Sequence, residues 1–175
     1  MATNNRNPSF DWLRHECLQI KSQRFHIFDP LTPDDYFYEY GGHRIDLQGD
    51  YADFLKEFGW AKFFTDYNDA PVMAVYPLKK SRRHLCDDGR TYIGFAYRGD
   101  KSFCFDEDVV LSGDQSKVYI VKGKNANQLH PNYADWLKAS YELVKSKYSL
   151  SKWQKIVAGP KPCGGQVISD TSIGC

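Results

Sequence analysis

The spacing of apolar residues changes several times along this chain, and each change marks an element. From Ser9 onward, Phe10, Leu13, Cys17 and Ile20 recur every three or four positions, which predicts a helix. Residues 24–28 alternate like a short strand, and Pro30 and Pro33 end it, because proline fixes φ and lacks the backbone donor. Tyr36, Tyr38 and Tyr40 then fall at alternate positions, giving an extended segment with one aromatic face. That face suits either the core or an interface. Tyr51, Phe54, Leu55 and Phe58 form a second helical stripe, with Asp50 as the expected N-cap and Gly59 as the stop.

Strand-like runs follow at 60–64 and at 71–77, the latter bounded by Pro71 and Pro77. The clearest hairpin joins 91–97 to 101–105 through Arg98, Gly99 and Asp100, where Gly99 can supply a positive φ. Gly94 inside the first of these runs marks a bulge or a close backbone approach. Another strand is expected at 117–121. Helical spacing returns with Tyr133, Leu137, Tyr141, Val144 and Tyr148 behind the N-cap candidate Asn132. A shorter helix carries Trp153, Ile156 and Val157, with Ser151 as its expected cap and Gly159-Pro160 as its end.

Consecutive strands joined by short turns cannot pair in parallel, which requires long crossovers. The expected fold is therefore α+β: one domain with a mostly antiparallel sheet of about five strands and helices on one face. Residues 1–8 read as a polar tail, 9–160 as the domain and 161–175 as a second tail without periodicity.

Composition narrows the function classes. Aromatic residues make up 15% of the 175 positions, enough for a substantial core with some left over for contacts. The net charge of +1 argues against a general nucleic-acid binder, which draws its affinity from many phosphate contacts. Without an apolar leader or a run of about 18 apolar residues, the expectation is a cytoplasmic protein with no membrane partner. Five scattered cysteines, Cys17, Cys86, Cys104, Cys163 and Cys175, lack a C-x-x-C spacing, so a disulfide framework is not expected.

Candidate chemistry is sparse. His15, His26, His43, His84 and His130 show no ligand spacing, so no metal or other cofactor is expected. His84 and Cys86 adjoin in an open polar loop, and His15 and Cys17 point to different faces of one helix, so neither pair reads as nucleophile and base. The chain is expected not to be an enzyme. Two charge runs remain: a basic loop at 79–84, and Asp106, Glu107 and Asp108. Each reads either as solvated surface or as a rim that steers a partner. The candidate anchors of such an interface are Tyr36, Tyr38, Tyr67 and Tyr76, with the three carboxylates as the rim.

The segment from Asp50 to Ala61 resembles the opening of the SUKH superfamily of Smi/Knr-like proteins. A helix of the form Tyr-x-x-Phe-Leu there runs into a Gly-Trp end and then a strand. Tyr51, Phe54, Leu55, Gly59 and Trp60 occupy those places. The Ile-Gly strand at Tyr92–Phe95, the Phe-x-Phe-Asp strand at Phe103–Asp106 and the closing helix extend the resemblance over 45–148. It implies an α+β immunity protein that binds and neutralises a cognate bacterial toxin, such as a nuclease or deaminase, by protein–protein interaction. Regulation or scaffolding of cell-wall and envelope synthesis is the alternative it implies. The family motif supplies no catalytic residue to carry over.

Overall fold

The structure, a computed structural model, describes residues 6–22, 24–66, 68–114 and 117–159. Tyr67 and the expected tail at 161–175 lie outside the described residues. A 3-10 turn at Pro8–Phe10 leads into α1 (Asp11–Gln19) and then β1 (His26–Asp29). A separate hairpin follows, β2 (Phe37–Tyr40) and β3 (His43–Asp46), turning at Gly41 and Gly42. Next come α2 (Gly49–Phe58), β4 (Trp60–Thr65), β5 (Pro71–Val75) and β6 (Arg83–Leu85). The long hairpin is β7 (Thr91–Arg98) and β8 (Lys101–Asp106), followed by the one-turn α3 (Glu107–Leu111). The chain closes with β9 (Val118–Lys122), β10 (Asn125–His130), α4 (Tyr133–Lys145) and α5 (Leu150–Ala158).

The fold is α+β with an antiparallel sheet, as expected, but the main sheet has eight strands instead of about five. Their order is β1-β4-β5-β7-β8-β9-β10, with β6 also paired to β7. The additional elements are short or polar. β6 has three residues inside the basic loop, and β10 reads Asn-Ala-Asn-Gln-Leu-His. An edge strand such as β10 needs backbone pairing on one side only, and polar side chains protect its other edge.

One face of the sheet is closed by α1, α2 and α4. Tyr51, Phe54, Leu55 and Phe58 of α2 and Tyr133, Trp136, Leu137 and Tyr141 of α4 are buried against Phe63, Phe95, Phe103 and Phe105 of the strands. The rings interlock: Trp136 meets Phe95 edge-on at 4.9 Å, and Phe95 stacks on Phe105 at 4.1 Å. Each fully buried side chain of this size contributes roughly 1.5–3 kcal/mol. Trp136 Nε1 and Tyr133 Oη are enclosed there without hydrogen-bond partners, which offsets part of that gain. Arg14 ties α1 to α2 through two bonds of 2.6 Å to Glu57.

Local chemistry sets the element ends. Asn132 caps α4 by accepting from Asp135 N, as expected, but the cap of α5 is Ser149, not Ser151. Helix α2 begins one residue before Asp50, which sits in its first turn and accepts a bond from Asn7. Asn7 and Pro8 are thus structured and not part of a tail. Gly59 ends α2 at φ 71°, and an added Cβ would stand 1.9 Å from Asp29 O. Both facts demand glycine.

Strand β4 carries an unusual residue one position before its end. Phe64 has φ 55°, so the consecutive side chains of Phe63 and Phe64 are both buried in the core. Its N–H donates to His26 Nδ1 at 3.2 Å, while His26 Nε2 lies 2.8 Å from the Tyr141 hydroxyl. Tyr141 in turn donates to Glu16, which Lys145 holds at 2.7 Å. The neutral tautomer that completes this chain carries its proton on Nε2. Burial lowers the His26 pKa to about 4.

Candidate binding face

No helix among the described residues covers the other face of the sheet, and its register aligns two rows of side chains. One row runs Lys62, Ala74, Tyr97, Ser102, Val121 and Ala126 across β4, β5, β7, β8, β9 and β10. The adjacent row holds Asp29 and Trp60 at one side and Gly94, Cys104 and Tyr119 at the other. Tyr76, just past β5, stands between those two groups, since its N–H bonds to Phe95 O at 2.8 Å. A solvated sheet face normally presents polar side chains. Here Ala74 and Cys104 are buried, and aromatic residues border them.

The result is an open depression of about 520 Å³, walled by Trp60, Tyr76 and Tyr97, with Arg82, Lys101 and Ser102 along its margin. Its shape follows from glycine and serine in the middle strands. The Tyr76 hydroxyl crosses Gly94, where an added Cβ would stand 2.9 Å from it. The ladder between β7 and β8 also shifts register between Gly94 and Ala96, so Gly94 marks both a close approach and a bulge. Tyr76 and Tyr97 lie side by side with ring centroids 6.3 Å apart. Lys62 Nζ sits 5.7 Å from the Trp60 ring. Burial raises the Tyr76 pKa to about 12, so its hydroxyl stays protonated and able to donate. Gly99, at φ 61°, makes the tight turn that brings Ser102 beside Tyr97.

Of the six expected interface residues that are described, only Tyr76 lines this depression. Tyr36 is half-buried and donates to Leu31 O at 2.8 Å. Tyr38 is buried and donates to Glu107 at 2.5 Å. The expected acidic rim is corrected at two of its three positions. Asp106 is 2% exposed and Glu107 5% exposed, because each has a guanidinium partner from earlier in the chain. Arg90 binds Asp106 at 2.8 Å, and Arg83 grips Glu107 with two bonds of 2.7 and 2.6 Å. Asp106 also caps α3 through Asp108 N. Burial pushes the Glu107 carboxyl up, but the bonds from Arg83 and Tyr38 outweigh it and leave the pKa below the usual carboxylate value. Asp108 alone of the three is exposed. The two charge runs therefore meet in one ion pair, Arg83 with Glu107, while Asp106 is neutralised by Arg90 from outside the basic run.

The motif residues divide by role. Tyr51, Phe54 and Leu55 are core, and Gly59 is the steric hinge already described. Trp60 reaches the depression. Arg82 falls in the basic loop that the sequence offered as surface or rim, whereas Tyr97, Lys101 and Ser102 escaped sequence reasoning as site residues. Alternation in β8 could have assigned Ser102 to the face opposite Phe103, but Phe95 and Tyr97 are two positions apart in β7 and face opposite ways only because of the bulge between Gly94 and Ala96.

Among the described residues no group of three or more His, Cys, Asp or Glu side chains is placed to hold a metal ion. No helix among them is long and apolar enough to cross a membrane. Comparison with protein-family models, with curated proteins and with solved structures finds no match to this chain.

Proposed function

We propose that this chain works by binding and not by catalysis, as an immunity protein that neutralises a cognate bacterial toxin through the sheet face opposite α1, α2 and α4. The observation that carries the reading is the aromatic depression formed by Trp60, Tyr76 and Tyr97 on the sheet face opposite α1, α2 and α4. Aromatic side chains with one apolar flank and one polar tip are the usual anchors of protein interfaces. The eight-stranded sheet offers a rigid platform, and a stable complex needs about 800 Å² from each partner. The toxin itself comes from the SUKH resemblance over 45–148, which supplies the class of partner and not its identity.

The test is protection. Candidate toxin domains encoded beside this gene are co-expressed with the chain, and survival is scored for the native sequence and for Tyr97→Ala. Native protection that fails in a Tyr97→Ala variant of unchanged fold is the expected result. Protection by both proteins alike would remove the open face from the mechanism, and failure of the native chain against every adjacent toxin would remove the role.

A further inference from the structure

We infer that the depression receives an acidic segment of the partner protein, seating a carboxylate on Arg82 with its apolar flanks against Trp60, Tyr76 and Tyr97. This rests on the reading of the open face as the docking surface and adds the chemistry of what docks.

Three of the cations between positions 79 and 90 are paired within the chain. Lys79 holds Asp35 at 3.2 Å, Arg83 holds Glu107 at 2.6 Å and Arg90 holds Asp106 at 2.8 Å. Arg82 has no carboxylate partner among the described residues, and it is exposed at the margin of the depression. Its backbone is fixed, because Arg82 O accepts from Gly94 N at 3.0 Å. The guanidinium therefore hangs from a rigid ladder while its fork of donors remains unused. Such a fork matches a carboxylate in shape and charge.

The neighbours point the same way. The margin of the depression carries two cations, Arg82 and Lys101, against one carboxylate, Asp100. Lys62 stands in the same row as Tyr97, over the Trp60 ring. Such a surface repels a basic segment and complements an acidic one. It is too sparse in cations for a nucleic-acid strand, whose binding draws on roughly 6–10 phosphate contacts. The aromatic walls add apolar area that a lone anion would leave uncovered.

The test uses the isotope-labelled chain and three probes. The first is a capped five-residue peptide with Asp and Glu flanking a central Leu. The second replaces both acids by their amides, and the third is a short oligothymidylate. Amide resonances of Tyr97, Gly99, Lys101 and Ser102 are followed by NMR. The acidic peptide is expected to shift them, with about tenfold weaker binding by its amide counterpart and by Arg82→Gln, as suits a charge-assisted hydrogen bond. Equal binding of the two peptides, no shift at these residues, or preference for the oligonucleotide overturns the inference. No toxin enters this titration, so the two readings fail separately. Peptide binding without protection removes the toxin role, whereas protection that depends on Tyr97 without peptide binding removes only the acidic segment.

Discussion

The two faces of the sheet are made by the same strands and obey opposite rules. On the helix-covered side, β7 and β8 contribute Phe95, Phe103 and Phe105, and rings from α2 and α4 fill every gap between them. On the other side the same two strands contribute Gly94, Tyr97, Ser102 and Cys104, and a depression remains. Large residues opposite large residues give a closed core, whereas small residues framed by large ones give a receptacle. Burial on the first side comes from the chain's own helices; on the second, Trp60 and Tyr76 stay half-buried and Tyr97 exposed.

That contrast can be broken or sharpened by measurement. The largest effect is expected from Trp136→Ala, which empties the centre of the closed face and should cost about 4 kcal/mol in urea unfolding. A cost below that of an ordinary surface substitution would mean that the helices do not carry the fold. Gly59→Ala comes next, at about 3 kcal/mol, because it adds a collision with Asp29 O to a positive φ. An unchanged melting temperature would refute that collision.

The acid response of His26 is the third. Its pKa is about 4 in the folded chain against 6.5 when exposed, so between those values the unfolded state binds more protons. Stability attributable to this group is therefore intact above pH 6.5 and declines as pH falls, by about 3 kcal/mol at pH 4. His26→Gln should flatten that part of the pH profile, and a native-like slope in the variant would show that another group is responsible. The smallest effect is expected on the open side. Tyr97→Ala should change stability by no more than about 0.5 kcal/mol, since the ring is 37% exposed. A loss matching that of Trp136→Ala would erase the distinction between the faces.

Much of the closed face was legible in the sequence, because helical burial writes a periodic signal. The stripe of Tyr51, Phe54, Leu55 and Phe58 and the capped stripe behind Asn132 both appear as helices where spacing put them. The elements that escaped, β3, β6, β10 and α3, are short and largely exposed or polar, so their formation depends on pairing partners and not on pattern. The carboxylates at 106 and 107 looked like surface for a related reason. Their guanidinium partners lie 16 and 24 positions upstream, a separation only the folded sheet closes. The open face suffered most. Trp60 stood out only as part of a motif and Arg82 only as part of a charge run, and with Tyr97 they become one site only through strand register.

The turned backbone at Phe64 bears on how this large sheet avoids misassembly. A strand of strict alternation can slide by one residue and exchange its inward and outward sets, whereas β4 places Phe63 and Phe64 inward together and then meets Thr65 bonded to Arg24 O. Sliding β1 along β4 would pull His26 away from the one amide it serves. The kink thus acts as a phase marker at the outer border of the sheet, where a misaligned strand would leave sticky backbone for a neighbouring molecule.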